Sequence, residues 1–212
     1  MTKKNLALAV VGALKKLYPQ AICSLEYNEK KPYELLIATR LSAQCTDARV
    51  NIVTKGLFEK YTSIEAFANA QLSEVQELIK SCGLYKTKAK SIIEMANQIM
   101  TDFNGKLPES LEDLTSLSGI GRKTANLIMG DIYHKPAVIT DTHCIRICYR
   151  IGLTTTNNPL KTENELLKIL PPEESSDFCH RIVHFGRDVC TARSPGCDRC
   201  VLVGLCLKKQ YK

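Results

Sequence analysis

The sequence predicts an all-α fold. Apolar residues recur at helical spacing in one segment after another, and the strict alternation of a half-buried strand is nearly absent. Helix start and stop residues punctuate the chain at short intervals. Its 212 residues, 44% of them hydrophobic, suffice to bury a core in one large or two small domains, which excludes a disordered chain. No apolar run approaches the ~20 residues that cross a bilayer, so no membrane partner is expected.

The elements follow in order. Leu6, Val10, Leu14 and Leu17 mark a first helix. Its opening, "MTKKNLALAVVGAL", has the outline of a signal peptide with Val11-Gly12-Ala13 as a cleavage site. Lys15 and Lys16 interrupt that region, so a retained helix and a cytoplasmic protein are expected. Pro32 opens a helix through "YELLIATRLSAQ", and Thr46–Asp47 cap the next, "ARVNIVTKGLFEKY". Ser73 caps "EVQELIKS", which Gly83 stops. "KAKSIIEMANQIMTDF" follows with its apolar stripe, Pro108 opens "ESLEDLTSL", and "RKTANLIMGDIY" comes next. After a non-helical "KPAVITDT" come "HCIRICYRI", stopped by Gly152, "ENELLKIL" and "SDFCHRIVHFGRDV". Residues 78–92 and 114–128 align without gaps, Gly83 on Gly119 and Ala89 on Ala125, as a weak internal repeat.

Three features carry chemistry. The net charge is +7, from 29 Lys+Arg against 22 Asp+Glu, which suits a polyanionic partner or a merely solvated basic surface. In "LTSLSGIGRKTANLIMG", Gly119 and Gly121 make a tight turn before a helix that starts near Arg122. Outward amides at such a helix start bind phosphate, although the same pattern also describes an ordinary helical hairpin. The Arg122-Lys123 pair directly after it favours a nucleic-acid backbone. Ten cysteines are present. Cys23, Cys45, Cys82, Cys144, Cys148 and Cys179 are scattered and read as small buried thiols of a reducing compartment. Cys190, Cys197, Cys200 and Cys206 form C-x6-C-x2-C-x5-C, for which zinc and an iron–sulfur cluster both remain open on spacing alone.

The ordered set "LLIATRLSAQCTDARVN", "CGLYKTKAK", "LSGIGRKTAN", "VITDTH", "HFGRDVC" and the cysteine knot resembles the helix–hairpin–helix DNA glycosylases, and among them the endonuclease III family. The resemblance covers essentially the whole chain. It implies two helical lobes: a six-helix barrel with the hairpin over residues 22–134, and an iron–sulfur lobe from residues 1–21 with 135–212. The target base would lie in the cleft between them. It implies a [4Fe–4S] cluster on Cys190, Cys197, Cys200 and Cys206, with a structural role that places Arg193 near phosphate. Gln44 and Leu84 would enter the base stack when the damaged nucleotide flips out. Lys86, Lys88, Gly119, Ile120, Gly121 and Arg122 would contact the DNA backbone.

The resemblance makes Lys123 the nucleophile, since a neutral amine there can attack C1′. Asp141 would stabilise oxocarbenium-like charge and help deprotonate that amine, and it can also cap the helix that starts near His143. His143, His184 and Arg187 are assigned structural roles. The expected activity is a glycosylase with AP lyase action on oxidised pyrimidines. Its expected partner is duplex DNA with a damaged base or abasic site, bound by a monomer associated with the nucleoid. A monofunctional mismatch glycosylase and a non-catalytic DNA-binding module are the alternatives. Adenine-excising relatives carry a catalytic Glu where this chain has Arg40 nearby, and they lack the lysine. Arg40, unusual in that helix, is expected to reshape the pocket.

Overall fold

The computed structural model describes residues 1–20 and 22–207, and among them there is helix, 3-10 turn and loop but no strand. The chain divides into two compact units, Ser24–Tyr133 and Met1–Cys23 with His134–Lys212. No described helix is long and apolar enough to cross a membrane.

Helix α1, Lys3–Leu17, belongs to the second of these units and is capped by Thr2, whose side chain accepts from the Asn5 N–H. Its buried stripe is Leu6, Ala7, Val10, Val11 and Leu14; Leu17, expected on that stripe, is 40% exposed because the helix ends there.

In the Ser24–Tyr133 unit the helices are α2 (Pro32–Ser42), α3 (Asp47–Lys60), α4 (Ile64–Ala68), α5 (Leu72–Leu78), α6 (Tyr85–Asp102), α7 (Leu111–Ser116) and α8 (Arg122–Asp131). Pro32 sits at the start of α2, where its missing N–H costs nothing. Thr46 caps α3 and Ser110 caps α7 through their hydroxyls. Leu35, Ile37, Leu57, Phe67, Ile79, Ile92 and Met95 build the core around α6. Three expectations shift. Helix α4 is too short for a periodic signal, yet Ser63 caps it and Phe67 anchors it fully buried. Helix α5 begins at Leu72 without a side-chain cap, so Ser73 lies inside it. Pro108 precedes α7 in a loop, and Ser110 starts the helix. Both glycines of the sequence repeat have positive φ, +65° at Gly83 and +76° at Gly119, and Ala89 and Ala125 are both fully buried.

In the other unit α1 packs on α11 (Ser175–Asp188), which also packs on α9 (Thr142–Ile151); α10 (Pro159–Leu167) lies between them in sequence. Arg181 on α11 is almost fully buried and pairs with Glu174 and Asp177 at 2.8 Å each, while Lys15 of α1 also pairs with Glu174. The Tyr18 ring stacks near His184, with centroids 5.8 Å apart, consistent with a packing role for that histidine.

Candidate functional site

Four local constructions hold the residues singled out in the sequence. The first is the α7–α8 hairpin. Leu114 and Leu117 seat the end of α7 in the core, and α6 grips the turn: the Ser118 N–H donates to Gln98 Oε1 at 2.7 Å, and its hydroxyl to Glu94 at 2.8 Å. Gly119 then takes the left-handed backbone that a side chain resists. Gly121 caps α8 with no side chain to engage the first-turn amides, and nothing would crowd a Cβ there. Arg122 and Lys123 follow, both exposed, and Lys123 has no ion-pair or hydrogen-bond partner among the described residues. Ile120 revises its expectation. Its side chain is buried and its N–H donates to the Leu117 carbonyl at 3.1 Å, so it anchors the turn instead of facing outward.

Behind the hairpin lies Arg40. Its Nε donates to Ser91 Oγ at 2.7 Å, and a Cβ on Gly119 would fall onto that same Nε and within 2.9 Å of Arg40 Cδ. Burial pulls the guanidinium below its ordinary pKa. Arg40 therefore fills the space under the turn, a role that sequence reading, which looked for a missing glutamate, did not foresee.

The second construction is a pair of loops. Helix α2 stops at Ser42, and Gln44 turns left-handed with φ 55° before Thr46 caps α3. Past α5, a 3-10 turn at Lys80–Cys82 and Gly83 lead to Leu84, left-handed with φ 47° and 58% exposed at the start of α6. A non-glycine residue in this region is strained by about 1–3 kcal/mol. Both strained residues are the ones expected to enter the base stack. Lys86 is exposed. Lys88 is not: it is fully buried, with Nζ donating to the carbonyls of Leu41 and Cys82 at 2.7 Å each. The expected phosphate contact at Lys88 is thus wrong, because its ammonium is internal. The signal was legible. Lys88, Ile92, Met95 and Ile99 share the i, i+4, i+7, i+11 stripe of α6, whereas Lys86 lies off it.

The third construction presents Asp141. Residues 137–140 are a buried non-helical run, tied to α11 by the Ala137 N–H on Ser175 Oγ (3.1 Å) and the Ile139 N–H on Cys179 Sγ (3.2 Å). Asp141 caps α9 through Oδ1, which accepts from the Cys144 N–H at 2.6 Å, and its other oxygen has no partner among the described residues. His143 packs where a Cβ on Gly186 would strike it, and Arg146 lies 3.2 Å from its Nδ1.

The fourth is the cysteine knot. Cys190, Cys197, Cys200 and Cys206 line one cavity of about 410 Å³, walled by Ile151 and Phe185. Burial pushes the Cys200 thiol up, and the other three thiols add to it. Four thiols converging on one cavity are a donor set that fits an iron–sulfur cluster. Two arginines four apart on α9 bind the loop: Arg150 donates to the Thr191 and Ala192 carbonyls at 2.7 Å, and Arg146 to the Cys190 carbonyl at 3.0 Å. Sequence reading missed both, although "RICYR" displays their spacing. Arg199 turns back to the Asp188 carbonyl, while Arg193 stays exposed with no partner among the described residues.

Residues 37–172 match the HhH-GPD superfamily of base excision DNA repair proteins, the class that hairpin and helical core define. Residues 190–206 match the iron–sulfur binding domain of endonuclease III. Endonuclease III of Synechocystis is 42% identical over 99% of this chain and 95% of that protein, and the Bacillus subtilis protein of the same name is 42% identical over 92% and 89%. A solved structure of a trapped endonuclease III–DNA covalent intermediate superimposes with a TM-score of 0.90 at 40% identity, covering 98% of this chain and 97% of that one. The chain belongs to the endonuclease III family. It is a base excision repair DNA glycosylase, and its cofactor is a [4Fe–4S] cluster.

Proposed function

We propose that this glycosylase is bifunctional: it excises oxidised pyrimidines from duplex DNA and then cleaves the strand as an AP lyase. The observation that carries the reading is Lys123, an exposed amine one residue into α8, directly beyond the Gly119–Gly121 turn and without an acidic partner. An uncommitted amine there can attack C1′ and expel the base. The C1′–O4′ bond then opens as the amine proton passes to O4′ (at an abasic aldehyde the adduct instead loses water), leaving a Schiff base that acidifies the C2′ proton, and β-elimination breaks the C3′–O3′ bond with the 3′ phosphate as leaving group. Asp141, held by its own capping bond with one oxygen to spare, stabilises positive charge developing at the sugar. Gln44 and Leu84 fill the gap left by the flipped base, one by hydrogen bonding to the orphaned partner and one by apolar wedging. Gly119, Gly121, Arg122, Lys86 and Arg193 contact phosphates. Cys190, Cys197, Cys200 and Cys206 ligate the cluster, which when bound supplies a rigid cross-link for residues 190–206. The protein acts as a monomer on damaged or abasic duplex DNA and resides with it in the cytoplasm, at the nucleoid.

Borohydride trapping tests this. It reduces an imine to a permanent amine, so the wild-type protein becomes covalently attached to duplex carrying an oxidised pyrimidine or an abasic site. Lys123→Gln abolishes trapping while duplex binding stays nearly intact. Trapping at the wild-type rate in Lys123→Gln would mean that another amine is the nucleophile. Base excision by the wild type without any trapping would establish the monofunctional alternative.

A further inference from the structure

Lys88 is a buried cation that neither excision nor strand cleavage uses. Its two acceptors come from different places: Leu41 O lies in the last turn of α2, and Cys82 O closes the 3-10 turn at Lys80–Cys82. Carbonyls at helical C-terminal ends lack partners within the helix and sit at the negative end of its dipole, which favours a cation. Each acceptor is followed almost at once by a strained residue. Gln44 stands three residues after Leu41, with φ 55°, and Leu84 two residues after Cys82, with φ 47°. The Cys45 and Cys82 thiols lie beside the ammonium, and Arg40 is the nearby cation. Burial lowers the Lys88 pKa, and the two thiols partly offset that. Lys88 also donates across sequence: neither carbonyl belongs to α6, which carries the ammonium.

We infer that Lys88 is a positioning residue whose ammonium ties the Gln44 loop to the Leu84 loop, so that the two enter the duplex as one unit. This rests on the reading of Gln44 and Leu84 as insertion residues. Two strained single residues on separate loops hold their backbone only where the surroundings over-determine it. One buried cation that bonds the backbone of both loops does so with two charge-assisted hydrogen bonds. Without it, two buried carbonyls lose their donor and the loops are free to move separately.

The test uses Lys88→Met, which keeps the length of the side chain and removes the donor, and Lys88→Gln, which keeps a neutral donor for one carbonyl. Three quantities are read: the unstacking signal of 2-aminopurine placed beside a dihydrouracil lesion, the single-turnover excision rate, and the salt dependence of binding to undamaged duplex. Lys88→Met lowers both the flipping signal rate and excision by about ten- to a hundred-fold, the range for a misplaced reactive geometry. Lys88→Gln falls between it and wild type. The salt slope is unchanged in both, since no phosphate contact is lost. A slope reduced by about 0.9 would show that Lys88 meets phosphate and overturn the inference. So would normal flipping in Lys88→Met accompanied only by a lower melting temperature. Leu84→Ala separates this from the reading beneath it: intact flipping in Leu84→Ala overturns the insertion role itself. Flipping lost there but kept in Lys88→Met overturns only the assignment of Lys88. If Lys88→Met does not fold, amide exchange in Lys88→Gln decides. Faster exchange confined to residues 42–46 and 82–86 supports the inference, and unchanged or uniformly faster exchange overturns it.

Discussion

Asp141 holds α9 in place and is also proposed to act on the sugar, and two substitutions separate these duties. Asparagine keeps a side-chain oxygen for the Cys144 N–H, whereas alanine does not. Asp141→Ala is therefore expected to lose about 1 kcal/mol of stability, and Asp141→Asn much less. Both should slow base excision strongly, because both remove the charge. Equal stability losses in thermal melts of the two variants would show that the cap contributes little. Lys123 differs. It is exposed and touches no partner, so Lys123→Gln should change unfolding free energy by no more than about 0.5 kcal/mol while removing activity. At this scale the sequence displays residue types, and helical period gives their direction. Lys86 and Lys88 are two residues apart, which on a helix places them about 200° around the axis from one another. One faces solvent and the other is sealed inside.

Among the elements, α6 organises the proposed DNA-facing part of its unit. Lys88, Ser91, Glu94 and Gln98 hold, in turn, the backbone before Gln44 and Leu84, Arg40, and Ser118 at the hairpin. Gly119→Ala should damage the hairpin twice over. The left-handed backbone adds about 1–2 kcal/mol of strain, and the new methyl would strike Arg40. Shortening Arg40 to alanine in the same chain should recover the steric part and leave the backbone part. Additive losses in the double variant would show that the two residues do not meet. In the other unit, Lys15 and Arg181 hold the Glu174 carboxyl below the ordinary value of 4.5, Lys15 acting most strongly. A lowered carboxylate pKa adds stability that is present above the ordinary value and is lost as pH falls through the folded value. The stability gap between wild type and Glu174→Gln should therefore be widest near neutral pH and close in the acid range below about 4.5. A gap that stays constant across a urea-denaturation series from pH 7 to pH 3 would mean that this cluster is not coupled to folding. Helix boundaries proved legible where a capping hydroxyl or a stop glycine announces them, as at Thr46 and Gly152. They were missed where tertiary burial alone decides, as at Phe67 in α4.

For the molecule as a whole, anaerobically prepared protein should be brown and contain iron with acid-labile sulfide. Cys197→Ser should lose the metal and expose residues 190–206 to rapid amide exchange. Stoichiometric zinc without iron or acid-labile sulfide would overturn the cluster assignment. The net charge of +7 and the exposed Arg122, Lys86 and Arg193 predict an affinity for undamaged duplex that weakens steeply with salt. Each phosphate contact should add about 0.9 to the log–log slope, so neutralising Lys86 or Arg193 removes about that much. An affinity that stays flat across the salt titration would refute the phosphate-contact set.

The all-helical class, the hairpin and the cysteine spacing were determined by the sequence alone, because each depends on residues close together in the chain. Helical period, glycine turns and ligand spacing are local properties that survive without any knowledge of packing. The tertiary structure alone decided which carbonyls Lys88 reaches, that Ile120 anchors its turn and that Arg40 lies beneath Gly119. It likewise showed that Arg146 and Arg150 hold the cysteine loop. For Lys88, Arg40 and Arg150 a partner is distant in sequence: Leu41 is 47 residues from Lys88, Ser91 is 51 from Arg40, and Thr191 is 41 from Arg150. A cation pattern reads the same whether its acceptor is a phosphate or a carbonyl of the same chain, and only packing determines which one it reaches.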